Sequence, residues 1–362
     1  MELAPQAAGA AADASAATPF VSVLVPVRNE AAYIGRCLEA LARQDYPRDR
    51  FEVIVLDGES TDATLAAVEA TRAALGLPDR LEPNRKRTTA AGMNLGLALA
   101  KGEVIIKVDG HTSVDPSFVR ASVRALSESG ADAVGGPIRT AGEGAIGRAI
   151  ALATASRFGV GDAAFRYSSR EQWTDSVPFG AYRRDVFERV GVFAEDIDRG
   201  EDDEFNYRLR EHGGRILLSP AIGSTYFARS GFGALLRQYW GYGLAKAAVL
   251  GRHPRRLRPR HLVPAALVLV LCAGSLLSLV DRRFLRLVGL AAGAYAAANG
   301  LATLQLARRG NRREAPYLPL AYASIHLAAG AGFIAGVTRG LLVTGFSPGG
   351  PCGRALDRRR DG

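Results

Sequence analysis

An α/β domain on a mostly parallel sheet with helices on both faces, followed by transmembrane helices, is the fold class this sequence predicts. Three observations carry it. Apolar runs alternate with helical periodicities between residues 20 and 135, in the βαβαβ rhythm of a parallel sheet. Polar residues recur where those runs stop, at the edge where open α/β sheets gather ligands. Uncharged stretches of bilayer length occupy the last third of the chain.

Residues 1–18 are mostly Ala, lack the basic start of a secretory signal, and read as a disordered leader. Phe20 to Val27 reads as a strand closed by Arg28-Asn29-Glu30, and the stretch after it sets Ile34, Leu38 and Leu41 on one helical face. Phe51 to Leu56 is a second strand, stopping at Asp57-Gly58, with Ser60 and Thr61 able to cap a helix that runs to about Leu75. The basic segment Asn84 to Thr89 leads into an Ala/Leu-rich helix. Val104-Ile105-Ile106 leads through Lys107-Val108 into Asp109-Gly110-His111. Asp115-Pro116 reads as an N-cap and first helical position of a helix to about Ser129, before a short strand near residues 131–134. Residues 141–173 show no clear period. Glu201 to Glu204 precede a helix with Phe205 and Leu209 inward and Arg208 and Arg210 outward. No G-x-G-x-x-G follows the first strand, so the dinucleotide fingerprint is missing.

Asp109 and His111, two residues apart around a glycine at a strand end, could hold a divalent cation against a phosphate. An isolated D-x-H is more simply a polar turn, but Asn29-Glu30 and Asp57 end neighbouring strands at the same edge. The acids of Glu201 to Glu204 complement a helix dipole; alternatively, one of them projects into the cleft as a general base for a hydroxyl.

The net charge of +10 over 362 residues resembles a nucleic-acid signal until the arginines are located. They crowd after residue 250 beside apolar segments, which points to a membrane surface, and no basic stripe interleaved with aromatics suggests nucleic acid. Cys37, Cys272 and Cys352 form no metal or disulfide pattern and fit a reducing compartment. Gly231 to Arg252 mixes aromatics with Arg237 and Lys246 as an interfacial helix does, with a buried amphipathic helix as the alternative. Leu262–Val280, Leu287–Ala307 and Leu318–Thr338 then read as three spans of a ~30 Å core. Gly289/Gly293 and Gly332/Gly336/Gly340 would let helices approach closely, with Asn299 and His326 facing that interior. The domains expected are therefore 19–230 catalytic, 231–260 interfacial and basic, 261–340 transmembrane, and 341–362 a basic tail. Arginines before Leu262 put the catalytic domain on the cytoplasmic side of a plasma membrane. Three spans would leave Arg354 and Arg358 to Arg360 on the far side, against the same charge rule.

Arg28-Asn29-Glu30, Asp57 with Ser60-Thr61-Asp62, Asp109-Gly110-His111 and Gly200-Glu201-Asp202-Asp203-Glu204 stand in the order seen in family 2 glycosyltransferases. Over residues 20–250 the chain resembles that family, and more closely its bacterial exopolysaccharide members of the succinoglycan ExoA type, where D-G-H replaces the commoner D-x-D. The resemblance implies the GT-A fold and inverting transfer of a sugar from a nucleotide diphosphate, UDP-hexose being expected, to a lipid-linked or polysaccharide hydroxyl. It implies that Pro26, Arg28, Glu30, Asp57 and Asp109 bind the nucleotide sugar, with Asp57 at the base. Asp109 and His111 would hold the metal, Mn²⁺ or Mg²⁺, Asp202 would be the base, and Glu201 would support the acceptor site. Two features depart from the family pattern: Asp57-Gly58-Glu59-Ser60 stands where many members have Asp-Asp-Gly-Ser, and His111 is a softer ligand than carboxylate. Arg237-Gln238-Tyr239-Trp240 does not reproduce the Gln-x-x-Arg-Trp of processive synthases. A polyprenyl-phosphate sugar synthase is the nearest alternative. A non-catalytic subunit of an export complex is another, opposed by the intact Asp57, Asp109 and Asp202.

Overall fold

The computed structural model of the chain describes residues 18–197, 199–228, 231–256 and 259–344. The leader up to residue 17 and the basic tail from 345 lie outside them. In chain order, β1 (Val21–Val27), α1 (Ile34–Ala42), β2 (Phe51–Asp57), α2 (Thr64–Leu75), β3 (Arg80–Pro83), α3 (Thr89–Leu99) and β4 (Val104–Lys107) form the first half of the domain. Then come β5 (Thr112–Val114), α4 (Phe118–Ser129), β6 (Ala133–Gly135), β7 (Ile138–Ala141), α5 (Gly144–Thr154) and α6 (Arg157–Val160). The domain closes with β8 (Gln172–Thr174), β9 (Ala181–Arg183), α7 (Asp185–Val190), α8 (Glu201–Glu211), β10 (Ile216–Leu218) and β11 (Ser224–Phe227).

The main sheet runs β3-β2-β1-β4-β9-β6-β10-β8, and β5-β11-β7 make a second, smaller sheet. The first four strands are parallel, as the βαβ rhythm requires, while β9 and β8 enter antiparallel. Period-2 alternation sorts each strand between two cores. Val21, Val23, Val25, Val53 and Val55 pack on α1, α2 and α4, whereas Leu24, Ile54 and Leu56 pack on α3, α7 and α8. Helices on both faces thus follow from strands apolar on both faces.

Two predicted caps are relocated. Asp62, not Ser60 or Thr61, accepts from the Thr64 N–H (3.0 Å) at the start of α2, because Ser60 and Thr61 bond to Asp57 and Asn29. Asp115 does not cap α4, which begins at Phe118, because β5 draws the preceding residues into the small sheet; its carboxylate pairs with Arg139.

Four helices follow: α9 (Phe232–Arg252), α10 (Pro259–Leu277), α11 (Arg283–Arg308) and α12 (Leu318–Thr344). Helix α9 buries Leu235 and Tyr239 among α5 and α12, and Val249 and Leu250 beside Ile197 and Tyr207. Its other face exposes Leu236 and Trp240, so it is buried and amphipathic at once. Glycines set the α9–α12 spacing: a Cβ on Gly332 would lie 2.2 Å from the Trp240 carbonyl, and one on Gly243 2.3 Å from that of Ala329. Gly289, Gly293 and Gly340, expected to do the same, face open space. Asn299 and His326 do point inward, Asn299 donating to the Pro319 carbonyl and His326 meeting that of Phe158. Among the described residues two helical stretches, Arg283–Arg308 and Ala315–Gly340, are long and apolar enough to cross a membrane. The first predicted span is shorter than read: its helix ends at Leu277, where Leu279 and Val280 turn back by i−3 hydrogen bonds and Asp281 caps the Arg283 N–H.

Candidate active site

The carboxyl ends of β1, β2 and β4 and the start of α8 meet in one cleft. Lys107, last residue of β4, lies at its floor, its side chain only 5% exposed. Its ammonium donates to Glu201 Oε1 at 2.8 Å and lies 3.4 Å from Asp109 Oδ1 and 3.9 Å from Asp202 Oδ2. Asp109 and the adjacent pair Glu201-Asp202, over ninety residues further along the sequence, therefore converge on one cation. Glu201 is sealed beneath, 8% exposed, whereas Asp109 and Asp202 keep 29% and 32% of their side-chain surface toward the cleft. The position expected to support the acceptor thus holds Lys107, and the two open carboxylates are those that can reach ligands.

Charge and burial oppose each other here. Burial alone would lower the Lys107 pKa, but Asp109, Glu201 and Asp202 together raise it well above the ordinary lysine value, so it stays charged. For Asp202, loss of water raises the pKa, Lys107 pulls it down, and Glu201, Asp203 and Asp109 push it up again; the balance lifts it to about 7. A carboxylate near neutrality is matched to taking a proton.

His111 sits at the cleft's other wall. Its Nδ1 is 2.9 Å from Glu30 Oε1, and its ring meets the edge of Tyr226 at 5.4 Å between centroids. A carboxylate behind an imidazole is the arrangement that orients metal-binding histidines. Among the described residues no three His, Cys, Asp or Glu side chains form a ready-made cage. Asp57, almost fully buried, is held by its own loop: the Ser60 hydroxyl (2.6 Å) and N–H (3.1 Å) donate to it. Asn29 (φ 56°) accepts from the Thr61 N–H at 2.8 Å, stitching the β1 loop to the β2 loop. In the departing Asp57-Gly58-Glu59-Ser60 sequence, Glu59 adopts φ 53° and pairs with Arg87, while Gly58 lies against the Arg28 stem. Pro26 packs under α3 near Gly92, and Arg28 is exposed at the rim.

Residues 22–191 match the model of the family described as glycosyl transferase family 2. The chain carries a family 2 glycosyltransferase domain. It is 29% identical over 317 residues to the succinoglycan biosynthesis protein ExoA of Rhizobium meliloti, covering 86% of this chain and 93% of that one. It is 28% identical over 238 residues to a dolichyl N-acetyl-α-D-glucosaminyl phosphate 3-β-D-2,3-diacetamido-2,3-dideoxy-β-D-glucuronosyltransferase of Methanococcus voltae, covering 64% and 74%. The solved mannosyltransferase PcManGT of Pyrobaculum calidifontis, in complex with GDP-Man and Mn²⁺, superposes with a TM-score of 0.58 at 23% identity over 88% of this chain and 87% of that one. That likeness establishes the GT-A fold. The protein is accordingly a glycosyltransferase that acts on nucleotide sugars in glycan or polysaccharide synthesis.

For this glycosyltransferase the strand ends were readable, and several site residues were not. Lys107 sits inside an apolar run, where a lysine reads as an interruption. Tyr226 and Gln238, whose side-chain amide donates to the Tyr226 hydroxyl at 2.7 Å, come from a four-residue strand and from α9. The only signal was the density of polar and aromatic groups in a helix otherwise suited to a membrane.

Proposed function

We propose that this enzyme is a membrane-anchored inverting glycosyltransferase, with Asp202 as general base and Asp109 and His111 as ligands of a divalent cation. The acceptor hydroxyl gives its proton to Asp202 while its oxygen bonds to the anomeric carbon. The bond from that carbon to the diphosphate oxygen breaks on the opposite face, and the electron pair leaves with the nucleoside diphosphate, inverting the centre. Lys107 holds Asp202 and Asp109 at a fixed separation and keeps their charges together. A carboxylate and an imidazole backed by Glu30 suit Mn²⁺ at least as well as Mg²⁺. When bound, the ion would offset negative charge on the leaving diphosphate. Asp109 and His111 are the two side chains that would hold such an ion in this cleft.

The observation that carries the reading is Asp202, open to the cleft, raised to about 7, and sharing Lys107 with Asp109. A proton-accepting carboxylate favours a hydroxyl acceptor over the phosphate of a polyprenyl-phosphate sugar synthase, which needs no base. The donor would be a UDP-hexose and the acceptor a lipid-linked glycan or polymer. Arg148 pairs with Glu314 (2.7 Å), tying the α11–α12 connection to the catalytic domain. Helix α11 and the stretch Ala315–Gly340, with α10 beside them, would then anchor the enzyme in the bilayer with its catalytic domain on the cytoplasmic face, where nucleotide sugars are.

The test is a donor screen on membranes containing the full-length protein, with each nucleotide sugar and Mn²⁺ or Mg²⁺, followed by mass analysis of the lipid fraction. Metal-dependent transfer to a hydroxyl is expected, and His111→Ala should shift the metal titration to higher concentration. A sugar phosphoryl-lipid as sole product would replace this reading with the synthase.

A further inference from the structure

Arg166 follows α6 on the tyrosine side of the cleft and is half-buried. Its guanidinium lies 5.6 Å from the centroid of Tyr226 and 5.4 Å from that of Phe165. Among the described residues this guanidinium makes no hydrogen bond and no ion pair. Other partly buried arginines of the domain are satisfied: Arg80 donates to Glu82, Arg184 to the Gly102 carbonyl, and Arg208 to Glu204. A half-buried guanidinium seated over two rings, with five donors and no protein acceptor among the described residues, is an exception that a ligand would explain.

Its surroundings define that ligand. One face of the neighbourhood is Tyr226, whose ring also meets His111 and whose hydroxyl is fixed by Gln238 of α9. Gln238 donates as well to the Tyr242 hydroxyl at 2.9 Å. Arg166 is therefore one aromatic ring away from the candidate metal ligand and faces the helix that leads to the membrane. The cleft floor is rich in acid, with Glu30, Asp109, Glu201 and Asp202 against Lys107 and His111. A dianionic group entering such a cleft needs further positive charge, and a planar guanidinium held over rings presents paired donors to it.

We propose that Arg166 binds a phosphoryl oxygen in this cleft, with Tyr226 and Gln238 holding its plane. That phosphate belongs either to the donor diphosphate or to the headgroup of a lipid-linked acceptor. The proposal rests on the glycosyl-transfer reading for the presence of either group.

The experiment has two arms on detergent-solubilised full-length protein. One titrates UDP and GDP with Mn²⁺; the other measures flotation with phosphatidylcholine vesicles with and without polyprenyl phosphate. Arg166→Ala should weaken binding about tenfold or more in one arm, the loss of one charge-assisted hydrogen-bonding group, and Arg166→Lys should recover part of it. Loss confined to nucleotide binding assigns the donor diphosphate, and loss confined to polyprenyl phosphate assigns the acceptor. Unchanged binding in both arms overturns the proposal, as does an equal loss in both with a lowered unfolding temperature, which marks mere packing. Should Arg166→Ala not fold, Arg166→Gln keeps a stem over the rings and is read in the same way. Wild-type protein that binds neither probe would instead bring down the glycosyl-transfer reading itself.

Discussion

Asp202 and Glu204 stand two positions apart in the first turn of α8, yet their surroundings drive them in opposite directions. Asp202 turns to the cleft, where loss of water, and then the charges of Glu201, Asp203 and Asp109 against that of Lys107, lift it to about 7. Glu204 turns away and is buried too, but Arg208 holds it at 2.9 Å and His253 of the α9 C-cap at 3.3 Å, and these hydrogen bonds lower its pKa. Loss of water pushes both upward, and Glu204, with 5% of its side chain exposed against 32% for Asp202, is the more buried of the two, so burial is not what separates them. The number of cations against the number of acids within reach decides whether a buried carboxylate becomes a proton acceptor or a fastener. One helix thus presents the proposed base on one side and docks α9 on the other.

The largest way to break that contrast is to remove the cation under the cleft. Lys107→Met leaves Glu201 buried without a partner and Asp109 beside it, and stripping one member from a buried pair costs about 3–5 kcal/mol. Chemical unfolding of the solubilised protein should show a loss of that order, with transfer abolished. A variant as stable as the wild type would mean that Lys107 does not hold the acids together.

Next is Asp202→Asn, which keeps shape and removes the proton acceptor. Turnover should fall at least about a hundredfold with nucleotide affinity nearly unchanged. In the wild type, kcat/KM should rise with pH through about 7 as Asp202 ionises. A variant with ordinary turnover, or a flat profile in the parent, would take the base role from Asp202.

These two expectations show what could be read from residues alone. Strands β1, β2 and β4 were legible because strands buried on both faces are continuous apolar runs, and the acids that stop them were legible for the same reason. Asp202 was legible as part of an acidic helix start, though which acid faced the cleft was not, since helix rotation depends on what packs below. Strands β5, β7 and β11, of three or four residues, are too short to show a period, so the small sheet and its Tyr226 stayed hidden. Lys107 was hidden for a different reason. Its role exists only through Glu201, ninety-four residues away in sequence.

The docking side of α8 responds to pH with the reverse sign. Hydrogen bonding to Glu204 raises the His253 pKa against the opposing effect of burial, and the charge of Glu211 adds to it. A group raised on folding stabilises fully below its ordinary value of 6.5, and that contribution fades as pH climbs through the raised folded value. Glu204, lowered on folding, contributes above its ordinary 4.5 and loses this as pH falls through the lowered value. The α8–α9 contact should therefore be firmest between those two ordinary values and loosen toward alkaline pH, where Asp202 is more active. His253→Gln should flatten the alkaline decline of the unfolding temperature, and an unaltered decline would place the titrating group elsewhere.

The smallest effect belongs to the basic segment after β3. Lys86 is 71% exposed and pairs with Glu195, which also accepts from the Asn94 amide at 3.0 Å. An exposed pair of this kind is worth about 0–1 kcal/mol. Arg87 is likewise engaged, with Glu59. Lys86→Ala should leave nucleotide affinity as it is and change stability by less than about 1 kcal/mol, read by UDP titration and unfolding in parallel. If affinity fell tenfold instead, positive charge on this loop would be reaching the diphosphate, and the proposed division between a cleft that binds anions through Arg166 and a rim that merely pairs its charges would have to be redrawn.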